Sequence, residues 1–147
     1  MYGNTHGLIF PFLQRAVETG VVHLPINTVI NVDEHADIAT YTDLFICHTA
    51  SWQRYAVDNG FWQIGNSYNW QPTRSTATPR KDFSPESYIK SIEANETDKL
   101  SPDVLSIDLD FFNNILPNTS EFNEYIERLK GLVRRSKCIL NFLHNKQ

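Results

Sequence analysis

The chain has 147 residues, 41% of them hydrophobic and 20% charged, a balance that suits one soluble domain over residues 1–147 with a core of ordinary size. Its net charge of −4, with no basic run longer than Arg134-Arg135, argues against nucleic-acid binding through phosphate contacts and fits a cation-holding centre better. No stretch approaches the roughly 20 apolar residues of a membrane helix, and Met1-Tyr2-Gly3-Asn4-Thr5-His6 lacks the basic start and apolar core of a signal peptide, so a cytoplasmic protein without a membrane partner is expected.

In chain order, Leu8, Ile9, Phe12, Leu13, Ala16 and Val17 mark one face of a helix. Pro11 falls near its start, where proline is tolerated, and Gly20 stands where helices commonly end. Thr28-Val29-Ile30-Asn31-Val32 is a short β-branched run that leads into Asp33, as a buried strand would. The stretch from Gly65 to Phe83, rich in Gly, Asn, Ser, Thr and Pro, reads as a long irregular loop. Ser84-Pro85-Glu86 starts a predicted helix that runs to about Ala94. Val104-Leu105-Ser106-Ile107, leading into Asp108, and Cys138 to Leu143 are two further strands. Between them Phe122, Tyr125, Ile126, Leu129, Leu132 and Val133 share a helical face, with Asn118 and Glu121 spaced as a capping box. Cys47 and Cys138 each sit in apolar runs and read as buried free thiols.

Strands that alternate with helices imply an α/β protein, three layers (α/β/α) around a mostly parallel sheet. In such sheets, functional residues gather beyond the carboxyl ends of the strands. Two acidic segments fall there. Asp33-Glu34-His35-Ala36-Asp37 sets Asp, His and Asp at alternate positions, and Ser106-Ile107-Asp108-Leu109-Asp110 sets two carboxylates likewise. A lone segment of this kind is often a solvated turn. Two of them at one sheet edge would repel strongly without a cation. Oxygen ligands with some imidazole suit Mn²⁺, among divalent ions, better than a thiolate-type zinc site.

These segments resemble those of the ureohydrolases (arginase, agmatinase and relatives), which carry Gly-Gly-Asp-His, then Asp-Ala-His-x-Asp, then Ser-x-Asp-x-Asp. Asp33 to Asp37 and Ser106 to Asp110 are similar to the second and third; Gly3-Asn4-Thr5-His6 looks like a degenerate first. The order of motifs, ending in Ile107-Asp108-Leu109-Asp110-Phe111-Phe112, resembles a shorter branch that includes peptide arginases, which convert arginine to ornithine in ribosomal precursor peptides. The resemblance implies a reduced arginase/deacetylase-like fold and two Mn²⁺ ions, or other divalent metals. It implies Asp33 and Asp108 touching both ions, His6 and Asp37 completing one site, and His35 and Asp110 the other. It further implies an arginine-containing precursor peptide as partner, hydrolysed at the guanidinium to ornithine and urea, with Asp37 relaying a proton to the departing amine. His48 stands close to where arginases hold a proton-shuttling histidine. The third motif continues differently here, as Phe111-Phe112-Asn113-Asn114, and no counterpart of the familiar guanidinium-binding glutamate is identified; Glu34 or Asp43 would have to substitute.

Trp52, Trp62 and Trp70, in an aromatic-dense middle section, are either core or the walls of a peptide-binding groove. Arg74, Arg80 and Lys81 in the long loop are solvated, or meet acidic parts of a peptide. Other activities compatible with these residues are hydrolysis of free arginine or agmatine-like compounds, zinc-dependent amide deacetylation, and non-catalytic metal-stabilised binding. A sheet this short also invites a homo-oligomeric partner over its last strand.

Overall fold

The computed structural model describes residues 2–3, 9–35, 37, 52–72 and 89–142. Their elements are β1 (Tyr2–Gly3), α1 (Ile9–Glu18), β2 (Val29–Val32), α2 (Trp52–Asp58), β3 (Ser67–Trp70), β4 (Lys90–Ile92), β5 (Val104–Asp108), α3 (Ser120–Arg135) and β6 (Cys138–Phe142). Short 3-10 turns cover Ala94–Lys99 and Leu109–Phe112. The six strands form one sheet in the order β1-β6-β5-β2-β3-β4, and every pairing is parallel. The expected α/β/α arrangement is present.

Two cores flank the sheet. On one face Ile9, Leu13 and Ala16 of α1 and Trp52 and Ala56 of α2 pack on Val29, Val104, Cys138 and Leu140. On the other, Tyr125 and Leu132 of α3 pack with Phe111 and Ile115 on Ile30, Val32, Trp70, Leu105 and Ile107. Because β2 and β5 present residues to both cores, alternation in their sequence gives way to continuous apolar runs. Each large side chain buried in this way contributes about 1.5–3 kcal/mol.

The helix ends follow local chemistry. Gly20 adopts φ 74°, and the N–H groups of Gly20 and Val21 donate to the carbonyls of Val17 and Ala16 at 3.0 and 2.9 Å, closing α1 through the left-handed glycine expected there. At α3, the cap is Thr119 rather than Asn118. Its Oγ1 accepts the Phe122 N–H at 3.2 Å from an extended backbone, whereas Asn118 sits at φ 62°, outside the conformation an N-cap requires.

Two further expectations are corrected. The predicted loop from Gly65 contains β3, whose partners are β2 and β4. The predicted helix reaching Ala94 is, in its described part, β4 followed by the 3-10 turn; pairing with the free edge of β3 outweighs local helix preference. β6 lies between β1 and β5, with Tyr2 and Gly3 of β1 paired to Asn141 and Phe142. Cys138 is a buried free thiol. Asp43, Cys47, Arg74, Arg80, Lys81, Ser84, Pro85, Glu86 and His144 lie outside the described residues. No helix among the described residues is long and apolar enough to cross a membrane.

Candidate metal centre

From β2 the chain passes outward to β3 and β4, then returns to β5 on the opposite side of β2 and continues to β6. The strand order therefore reverses between β2 and β5, the place where open α/β sheets form their ligand crevice. Val32 pairs with Ile107 across these strands, and the next residue of each chain is an aspartate, Asp33 and Asp108. Both are 1% exposed.

The two acidic segments are shaped by the same local device. Asp33 Oδ1 accepts the backbone N–H of His35 at 2.7 Å, and Asp108 Oδ1 accepts that of Asp110 at 3.1 Å. Each aspartate thus folds the residue two positions on back toward itself, as short acidic side chains do in turns. Convergence comes from these turns, because β2 has already ended at Val32. The turns are then joined: Asp110 Oδ1 accepts the Glu34 N–H at 3.2 Å, while His35 Nδ1 lies 3.0 Å from Asp110 Oδ2 and 3.4 Å from Asp33 Oδ1. Ligand atoms of Asp33, His35 and Asp110 all fall within 4.8 Å of one another.

Asp37 joins from the other side. It hydrogen-bonds Asp33, its Oδ2 accepts the Trp52 indole N–H at 2.7 Å, and its carbonyl accepts the Gln53 N–H at 3.3 Å. Its φ of 54° is a left-handed conformation that aspartate tolerates better than most residues, consistent with a position held by its surroundings.

Electrostatics show how burial and hydrogen bonding oppose one another in this group. Burial pushes the Asp33 carboxyl up. Asp37 is held well above the usual carboxylate range, first by burial and then by the charge of Asp33. Burial also acts on Asp110, but the hydrogen bond from His35 and that from the Glu34 N–H outweigh it and bring Asp110 down. His35 is raised to about 10 by its hydrogen bonds to Asp110 and then Asp33. Protonated His35 thus serves as the internal counter-cation of a carboxylate group that its buried members resist ionising. A divalent cation would relieve that resistance and replace the proton, and the oxygen-plus-imidazole donors suit Mn²⁺ or a similar ion. On donor chemistry and spacing, the residues fit a metal.

Of the residues expected at the site, the structure gathers Asp33, His35, Asp37 and Asp110, and sets Asp108 at the adjoining strand end. His6 and His48 lie outside the described residues. Glu34 is 7% exposed; its Oε1 accepts the Asn114 amide at 2.9 Å and its carbonyl accepts the Gln71 amide at 2.7 Å, so it ties the turn after β2 to the segments after β3 and β5. The aromatic groove is corrected. Trp52, Trp62 and Trp70 are 0%, 1% and 0% exposed and fill the two cores, since their rings pack on other aromatics. Asn31 is an unanticipated participant. Its Nδ2 lies 3.3 Å from Asp33 Oδ2 and from the His35 carbonyl, and 2.9 Å from Asn69 Oδ1. The signal was an amide two residues before Asp33, inside an otherwise apolar strand.

No family model matches the sequence, and no curated protein matches it. Solved structures do. The chain superposes on proclavaminate amidino hydrolase from Streptomyces clavuligerus with TM-score 0.65 and 16% identity, over 98% of this chain and 54% of that one. For a hypothetical agmatinase from Burkholderia thailandensis the values are 0.66 and 14%, over 98% and 50%. For formimidoylglutamase from Bacillus subtilis they are 0.64 and 12%, over 96% and 51%. The chain spans about half the length of these structures. The likeness establishes the fold that the ureohydrolase resemblance implies.

Proposed function

We propose that this chain is a metal-dependent hydrolase of guanidinium carbon–nitrogen bonds, acting on arginine side chains within a precursor peptide to give ornithine and urea. The observation that carries this reading is the junction of Asp33, His35, Asp37 and Asp110 at the sheet's switch point. The hydrogen bonds of His35 to Asp110 and Asp33, which raise its pKa to about 10, offset part of the carboxylate charge there. Asp33, His35, Asp37, Asp108 and Asp110, with His6, would hold two Mn²⁺ ions or a similar divalent pair. When bound, such a pair would lower the pKa of a water molecule and so supply a nucleophile for the guanidinium carbon at neutral pH.

The chain's own residues supply position and proton movement. Asp33 and Asp108 close the two halves of the crevice from adjacent strands. His35 would serve as a ligand in its neutral imidazole form, and Asp110 is held in place by the Glu34 N–H. Asp37 accepts a proton from the attacking water and delivers it to the nitrogen that departs as the carbon–nitrogen bond breaks. The His35 side chain is 52% exposed, which gives a substrate side chain an approach to the buried carboxylates.

The test is incubation of the Mn²⁺-loaded protein with an arginine-bearing peptide and, separately, with free arginine and agmatine. Urea release with the arginine-to-ornithine mass change in the peptide is expected. Turnover of the free compounds alone would replace the peptide substrate, and deacylation with zinc would replace the reaction. Metal uptake without any of these products would leave a binding module and end the catalytic proposal.

A further inference from the structure

We propose that Trp52 is a positioning residue of this metal centre, orienting Asp37 as a ligand; the inference rests on the metal-binding reading above. Trp52 is 0% exposed and belongs to the core between α1, α2 and the sheet. Its ring meets Trp62 edge-on, with centroids 6.0 Å apart and planes at 79°. From that fixed ring the indole N–H reaches Asp37 Oδ2 at 2.7 Å, a short, charge-assisted contact when the carboxylate is ionised.

The neighbouring residue holds the same aspartate by its main chain. The Gln53 N–H donates to the Asp37 carbonyl, and the Gln53 side chain accepts the Ser67 hydroxyl of β3. The first two residues of α2 therefore clamp both ends of Asp37, one through the packed indole and one through the sheet. An indole N–H is a donor only, so it can engage Asp37 without competing for the cation. It also occupies one carboxylate oxygen, which directs how the group meets an ion shared with Asp33. Partners that orient metal ligands in this way typically alter affinity by about 10–100-fold when removed.

Mn²⁺ binding to the full chain tests this, measured by loss of the free-ion electron paramagnetic resonance signal for wild type, Trp52→Phe and Trp62→Phe. Trp52→Phe keeps an aromatic ring but removes the N–H; Trp62→Phe is the packing control, because Trp62 Nε1 has no hydrogen-bond partner among the described residues. Trp52→Phe is expected to weaken one of the two ions about 10–100-fold and leave the other, while Trp62→Phe binds as wild type does. Identical isotherms for wild type and Trp52→Phe, or equal weakening in both variants, would overturn the assignment. Failure of wild type to take up Mn²⁺ would instead overturn the metal reading and this inference with it. Should Trp52→Phe not fold, ¹⁵N-indole spectra of wild type with added Zn²⁺ decide the matter. The Trp52 resonance should move while that of Trp62 stays, and equal displacement of both would refute the proposal.

Discussion

Replacing Asp37 by asparagine should raise stability without metal and lower it with metal, and this reversal separates a ligand from a structural carboxylate. The substitution preserves shape and keeps an oxygen for the Trp52 N–H. In metal-free protein, Asp37 resists ionisation because of burial and the charge of Asp33. A carboxyl whose folded pKa exceeds its unfolded value costs stability at neutral pH, so removing it is a gain in the presence of a chelator. With Mn²⁺ at 100 times its dissociation constant, wild type gains about 2.7 kcal/mol, on the order of 5–10 °C in melting temperature for a domain this size. A variant bound about a hundredfold more weakly gains only about 0.4 kcal/mol under the same conditions. Thermal melts followed by circular dichroism, in chelator and in Mn²⁺, measure both. Should Asp37→Asn melt below wild type by the same margin in the two solutions, Asp37 would be a structural group and the reasoning would fail.

Four other outcomes follow from the same physical account. Mn²⁺ binding should release the proton from His35, whose pKa is raised to about 10, so affinity rises with pH across the neutral range; calorimetry in buffers of different ionisation enthalpy would detect that proton. In metal-free protein the stabilisation from His35 is fully present below its ordinary value near 6.5 and is lost as pH rises through about 10, visible in melts across that window. Asp103→Ala should cost about 1–3 kcal/mol equally with and without metal, because Asp103 Oδ2 accepts the N–H groups of Asn27 and Thr28 at 2.9 and 3.3 Å, at the opposite end of β2 from the centre. Trp70→Ala should cost about 3–5 kcal/mol by emptying the space against Phe111 and Tyr125; chemical denaturation would show it.

What the residues announced, and what they concealed, follows from how burial is encoded. β2, β5 and β6 were legible because strands covered on both faces read as β-branched apolar runs. α1 and α3 were legible because their buried positions recur at helical spacing. β3 was hidden, since two of its fully buried residues are polar: Ser67 and Asn69 are both 0% exposed. Their burial is made acceptable by Gln53 and Asn31, partners that no hydropathy pattern displays. β4 has three residues with Lys90 exposed, and its existence depends on the edge of β3 rather than on its own sequence.

The centre shows the same division. Asp33, His35, Asp37, Asp108 and Asp110 stood out by spacing, but spacing alone left open what gathers them. Turns closed by Asp33 and Asp108 on their own backbone bring the ligands inward, and a one-dimensional pattern does not display them. Trp52 likewise carried a signal of aromatic importance, yet only the fold reveals that its N–H meets Asp37 while its ring fills the core.

The most direct test is a count of bound Mn²⁺ per chain after equilibrium dialysis, for wild type and for a variant carrying Asp33→Asn with Asp110→Asn. Two ions on wild type and a marked loss in the variant are the predicted result. No retained ion on wild type, or an equal count on both proteins, would contradict it.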